Sequence, residues 1–245
     1  MVIKQFQISL AIALSVGNIP LYSTSVQTQL NIQVNQKALN TSQDPPPPGD
    51  KDPAGGLGNP NATCKNTEKP ITALVPLQIE QRLTTSEYPT FWFYIPYAPE
   101  DIQSLEFSLH DRGENDIYRT TLKLTKTPGI IGIRLPSSAK YALKQGQFYH
   151  WYLVIKCGED SQSSLSVNEW VQRVELTPDR QSQIDAAKPD IWYDSLTRIA
   201  ELRRAAPADE NLKHEWNNLL KSAELQEIAD EPLVETIQLS EDVAN

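Results

Sequence analysis

A mainly β fold is the class this sequence predicts: an immunoglobulin-like antiparallel β-sandwich followed by a C-terminal α-helical hairpin. Three observations predict it. The stretch Tyr88–Tyr97 (YPTFWFYIPY) holds six of the chain's nineteen aromatic residues, and Pro89 and Pro96 bar it from a helix interior. It therefore reads as an extended strand, with Phe91, Phe93 and Ile95 on one face and Trp92 and Tyr94 on the other. Both faces are apolar, so both need covering. Around it, residues 71–176 alternate with period two between turn signals, the pattern of a sandwich. After Leu176 the period changes to 3.6.

The folded part is diluted. The chain has 245 residues, 39% hydrophobic, with 18 prolines against 10 glycines. Residues 1–25 read as a secretory signal: Lys4 is their only charge, Ile8–Val16 forms a short apolar core, and Pro20 and Ser23–Ser25 follow. This nine-residue run is too short for a permanent span, so the mature chain is expected to have no membrane span, and no cysteine directly after the run offers a lipoprotein anchor. Export to the periplasm, cell envelope or extracellular space is the expectation. Residues 26–70 are a disordered polar spacer containing Pro45–Pro48, a polyproline II run, and a flexible Gly-rich piece. The GGLG at Gly55–Gly58 has no preceding strand and no following GK[ST], so it reads as linker rather than phosphate loop. Leu30–Val34 alternates in the manner of a short edge strand.

The strands expected in order are Thr72–Val75, Thr90–Tyr97, Ser104–Asp111, Ile117–Thr125, Gly129–Leu135, Phe148–Cys157 and Ser166–Leu176. Their inward residues run from Phe91 through Phe107, Tyr149 and Trp151 to Trp170, Val174 and Leu176, with Leu122 among them. Arg119 and Arg173 are expected to pair with Glu106, Glu169 or Glu175 across strands. Residues 177–232 form a helical tail packed on the sandwich. Thr177-Pro178-Asp179 starts a helix; Trp192, Leu196 and Ile199 mark a helix face; Pro207 stops it and Asp209 caps the next. Leu212, Trp216, Leu219, Leu220 and Ala223 mark that next face, and Glu224–Ala229 a last short helix. The pair resembles one tetratricopeptide-type unit. Residues 233–245 are acidic and expected to fray.

A net charge of −9 (−10 without Lys4) argues against nucleic acid and anionic membrane as partners. Cys64 and Cys157 belong to no CxxC motif, and in an oxidising compartment they are expected to form a disulfide. No metal or other cofactor is implied, because His214 lacks a second histidine four residues on. The turn carboxylates Asp111, Glu114 and Asp116 lack calcium-loop spacing and read as a hairpin turn. His110 and His150 lie in strands with no nucleophile elbow nearby, so no catalytic residue is assigned. The candidate site is aromatic: Trp92, Tyr94, His150 and Tyr152, a face for a glycan or a protein partner. The competing reading covers that face with the C-terminal helices, through Trp192, Ile199 and Trp216. The scarcity of other large apolar residues favours the cover.

The blocks LTTSEYPTFWFYIPY (83–97), EFSLHDRGENDIYRTTLKL (106–124), FYHWYLVIKC (148–157), WVQRVEL (170–176) and IWYDSLTRIAELRRAAP (191–207) resemble a bacterial family known as domain of unknown function 928, mainly cyanobacterial. With TALVP (72–76) and TPGIIGIRLP (127–136), the resemblance runs collinearly over roughly residues 64–234. It implies an exported protein with a strand-rich body and a helical tail, and no established activity. The abrupt AAKPDIWYD is a departure, since the family carries a longer helical segment there. Function is accordingly expected to be that of an exported, non-catalytic interaction or structural module. Alternatives are a carbohydrate-binding module on the aromatic face and, third, a hydrolase without a recognised motif.

Overall fold

The computed structural model describes residues 64–158 and 164–241. The signal, most of the spacer and Leu30–Val34 lie outside the described residues. Strands β1 (Thr72–Ala73), β3 (Thr90–Ile95), β6 (Gly129–Arg134) and β9 (Leu233–Gln238) form one sheet in the order β1-β3-β6-β9. Strands β2 (Leu83–Thr84), β4 (Ser104–Asp111), β5 (Asp116–Leu122), β7 (Phe148–Lys156) and β8 (Ser164–Arg173) form the second, in the order β2-β8-β7-β4-β5. Helices α1 (Pro178–Asp185), α2 (Trp192–Ala205) and α3 (Glu210–Ser222) follow the eighth strand.

All six residues of β3 are buried, as its two apolar faces require. Its Phe91 ring lies 5.2 Å from Phe107 and 5.7 Å from Trp151, and Phe93 lies 5.3 Å from Trp151. These rings join the inner faces of the two sheets. Trp92 points the other way, across Gly132, its register partner on β6. A Cβ at Gly132 would lie 3.1 Å from the indole, so the glycine makes room for the ring.

The expected strands form: β4 has its expected ends, the others end one to three residues early, and β5 and β8 also start one and two residues sooner. Two further strands appear. β2 is only two residues long and pairs parallel with the end of β8. β9 pairs parallel with β6, so residues 233–238 are an edge strand and not a frayed tail. An acidic stretch lacking strong alternation holds this conformation because β6 offers a free edge, with Ile130 N donating to Pro232 O and Leu239 N to Arg134 O. The sheets are thus antiparallel except at these two pairs. Leu122, the last residue of β5, is only half-buried, and Val174 and Leu176 lie past the end of β8, half-buried and exposed. Trp170, expected inward with them, is the register partner of His150 and lies on the outer face, while Val167 and Val171 point in. Arg119 pairs with Glu106 as expected, but Arg173 pairs with Glu87, while Glu169 is taken by Arg82.

Thr177 caps α1, accepting from Arg180 N. Ala187 then turns left-handed (φ 48°) and Pro189 opens a short 3-10 turn into α2, since the residue before a proline avoids helix. Asp209 caps α3 through Asn211 N and Leu212 N. Residues 224–229 form a 3-10 turn, Gln226–Ile228, in place of a helix.

The motif Ile191-Trp192-Tyr193-Asp194 docks the tail. Trp192 Nε1 donates to Leu74 O at 2.7 Å. Tyr193 enters between the sheets, its ring 5.5 Å from Phe91 and its hydroxyl accepting from Trp151 Nε1 at 2.9 Å. Asp194 accepts from the Thr84 hydroxyl (3.0 Å) and Thr85 N (2.5 Å), pinning β2. Further along α2, Thr197 accepts from Trp92 Nε1 on β3, Glu201 pairs with Arg134 on β6, and Arg204 donates to Thr236 on β9. Spacings of four and three put these residues on one side of the helix. α2 therefore lies along the outer face of the four-stranded sheet. Arg203 sits over the Trp216 ring at 5.2 Å and ties α3 to α2. Cys64 and Cys157 form a disulfide, closing the N-terminal end of the described chain onto the end of β7.

Candidate functional site

The four aromatic-face residues do not share a face. Trp92 and Tyr94 lie on the outer side of the four-stranded sheet, at 2% and 7% exposure. Trp92 is under α2, and Tyr94 sits beside the Lys69–Glu231 ion pair, where burial pushes its phenol up. His150 and Tyr152 belong to β7, on the outer face of the five-stranded sheet. Strand parity placed each pair correctly as outward, but β3 and β7 join different sheets.

The outer face of the five-stranded sheet holds a connected polar cluster. Register aligns His110 on β4 with His150 on β7, and His150 with Trp170 on β8. His150 stacks on Trp170, centroids 4.4 Å apart and planes within 10°, so each ring covers a face of the other. Tyr152 completes the row, 4.2 Å from the His150 ring and edge-on to His110 at 5.1 Å. Glu114, at the β4–β5 turn, has the left-handed φ of 60° unusual for its type. That backbone sends its carboxylate over the sheet: Oε1 is 2.8 Å from His150 Nδ1 and Oε2 accepts from the Tyr152 hydroxyl at 3.2 Å.

The donors and acceptors fit together. His150 Nε2 lies 2.9 Å from Asn168 Oδ1, an acceptor, so Nε2 carries a proton. With the ring neutral, Nδ1 accepts from the Tyr152 hydroxyl, 2.8 Å away. With the ring charged, Nδ1–H faces Glu114 and the Tyr152 proton turns to the same carboxylate. Burial first, then the Glu114 charge, pushes the Tyr152 phenol up to about 12, so it stays a donor at neutral pH.

His110 stands between Ser108 and a carboxylate. Its Nε2 is 3.0 Å from Ser108 Oγ and its Nδ1 2.9 Å from Asp116 Oδ1, the order of a nucleophile, base and orienting acid. Distance alone flatters the second contact: Nδ1 makes no aligned hydrogen bond. Asp116 is instead held by Arg119, whose guanidinium keeps its carboxyl low. Ser108 is 3% exposed on a flat strand, and β4 lies between β5 and β7, so its amides serve two ladders rather than an oxyanion. The geometry is that of a hydrogen-bonded surface, not of a nucleophile elbow.

The turn carboxylates diverge: Asp111 accepts from Gly113 N, Asn115 N and Asn115 Nδ2, and these bonds pull its carboxyl low. No group of three or more metal-type ligands converges among the described residues. His214 is exposed on α3.

A family model described as Domain of Unknown Function (DUF928) matches residues 53–233. The chain belongs to this family. No curated protein and no solved structure matches the chain. In this DUF928 member the block 106–124 supplies His110, Glu114, Asp116 and Arg119, and the block 148–157 supplies His150 and Tyr152. The cluster lies within the matched residues. Sequence reasoning left out Glu114 as a partner of His150. No local signal points to it, because His150 and Tyr152 lie on β7, which flanks β4 on the side away from β5.

Proposed function

We propose that this protein is an exported, non-catalytic interaction module of the periplasm or cell envelope, docking a protein partner on the outer face of the five-stranded sheet. The observation that carries it is the division of labour between the two outer faces. α2 lies along one and reaches the five-stranded sheet at its edge strand β2, while the outer face around β7 presents Tyr152, Glu114, Asn168 and Arg119. Charged-partner chemistry suits this face better than sugar stacking, because His150 and Trp170 use their π-faces on each other. The Cys64–Cys157 disulfide and the apolar N-terminal run support export. Among the described residues no helix is long and apolar enough to cross a membrane.

The fold reading belongs to the same proposal. An immunoglobulin-like assignment puts β1, β3 and β6 in the places of strands A, B and E, and β8-β7-β4-β5 in those of G, F, C and C′. β9 then occupies the place of D, running parallel where D is antiparallel. Tyr149, the second residue of β7, accepts from Lys144 N at 2.7 Å, a bond of the kind called a tyrosine corner at the start of strand F.

Two experiments test the function. Residues 1–25 fused to a periplasm-dependent reporter should export it; a cytoplasmic reporter would remove the compartment from the proposal. A photo-crosslinker at Tyr152 in living cells of the native host should trap one discrete partner, and one at exposed Lys213 on α3 should not. Equal or absent trapping at Tyr152 would remove the sheet face.

A further inference from the structure

The β8 strand runs away from the disulfide end, and at its far end a second polar site opens. Gln172 there pairs with Leu83, Val174 N donates to Thr84 O, and Thr84 donates to Asp194 at the start of α2. Beside Asp194 lies a cavity of about 320 Å³ walled by Tyr88, Thr90, Arg134, Ser137, Asp194 and Thr197. At a liquid-water share of about 30 Å³, it has room for about ten water-sized groups, the size of one sugar ring. It lies at the small end of the range for ligand sites.

The wall is mostly hydroxyl, and its strong groups are already half-used. Arg134 donates from Nε to Thr90 Oγ1 (2.8 Å) and from Nη2 to Glu201, leaving Nη1 without a partner among the described residues. The Asp194 carboxylate accepts from the Thr84 hydroxyl, from Thr85 N and from the Thr85 side chain, which leaves it room for one further donor. Thr197 accepts from Trp92 and keeps its own O–H. The hydroxyls of Tyr88 and Ser137 make no bond to another described residue. The free groups are therefore donors and acceptors in mixture around a small space, with the Arg134 charge matched by Glu201. An anion would meet Asp194 and Glu201, and a cation would meet Arg134. A neutral polyol, whose hydroxyls each donate and accept, matches this set.

We propose that this cavity binds a single neutral sugar residue, gripped by Arg134 Nη1, Asp194 and the Tyr88 and Ser137 hydroxyls. The site is separate from the sheet face and stands or falls without it. The test uses the disulfide-bonded protein lacking residues 1–25, titrated calorimetrically with neutral hexoses, N-acetylhexosamines, a uronic acid and inorganic phosphate. Saturable binding of a neutral sugar is expected. Ser137→Trp, at an exposed position that makes no internal bond, should abolish it with the melting temperature unchanged. Tyr88→Phe should weaken it by about tenfold, the worth of one hydrogen bond to a ligand. Tyr152→Ala should leave it unchanged. The proposal is overturned if no neutral sugar saturates the protein, if binding survives Ser137→Trp, or if phosphate or the uronic acid binds more tightly than every neutral sugar.

Discussion

The Tyr193 hydroxyl accepts from Trp151 Nε1 and donates to Trp170 O at 3.2 Å, in a fully buried place between the sheets. Burial pushes its phenol far up, so it is a neutral hydrogen-bond bridge at any ordinary pH. Tyr193→Phe leaves the indole N–H of Trp151 buried without a partner and should cost about 1–3 kcal/mol by urea unfolding. Asp194 next to it has its carboxyl raised above the usual 3.8, with burial the largest cause, against its bonds from Thr85 and Thr84. A raised carboxyl binds its proton more readily folded than unfolded. Its contribution is full below the unfolded value and is lost as pH rises through the folded one. The stability of the native protein relative to Asp194→Asn should therefore decline between pH 3.5 and pH 7, as urea midpoints at the two pH values would record. A flat difference would mean that Asp194 is ionised as freely in the fold as in the unfolded chain.

At the scale of elements, the strands were legible where side chains alternate against a buried face. The runs in β3, β4 and β7 have that pattern, and Ser104–Asp111 forms with the expected ends. β2 and β9 were not legible. Two residues cannot show a period, and β2 exists because β8 extends past Phe148 and Asp194 holds Thr84. LVETIQ carries a charge at Glu235, and its partner β6 lies about a hundred residues earlier, a distance no local pattern encodes. Truncation after Asp230 tests whether β9 belongs to the sheet. The Ile130 amide, which donates to Pro232 O, should lose its protection from hydrogen exchange, and the melting temperature should fall. Unchanged protection would return residues 233–241 to the status of a tail.

For the molecule as a whole, the disulfide and the first turn of α2 act at opposite ends of β8. Cys64–Cys157 spans a sequence separation of 93, and closing a loop of that size is worth on the order of 4–5 kcal/mol in the chain-entropy account. Reduction should lower unfolding stability by up to that amount. The oxidised protein unfolded without reductant should react with no thiol reagent, since there is no free cysteine. The helical tail is not an appendage. With Trp192 and Tyr193 at 0% and 2% exposure, separating tail from sheets would bare the largest side chains of the core. Trp192→Ala should cost about 3–5 kcal/mol in urea unfolding, the range for a large aromatic truncated in a core.

The sequence by itself determined the element types, the inward faces of every long strand but β8 and the pairing of two distant cysteines, because each rests on local period, local turn chemistry or a count of two. On β8, where apolar residues fall on both parities, Val167 and Val171 face inward and Trp170 outward. It also made the Trp92 and Tyr94 side of β3 a surface needing cover. Which sheet each strand joins was decided by tertiary structure alone, and that assignment split the aromatic face in two. Parity along a strand says whether a ring points in or out, but not which layer's outside it reaches. The same holds for Glu114, brought over His150 and Tyr152 by one left-handed residue, and for the cavity beside Asp194, whose walls come from β3, β6 and α2. Such sites are built from long-range neighbours, and only the packed chain contains them.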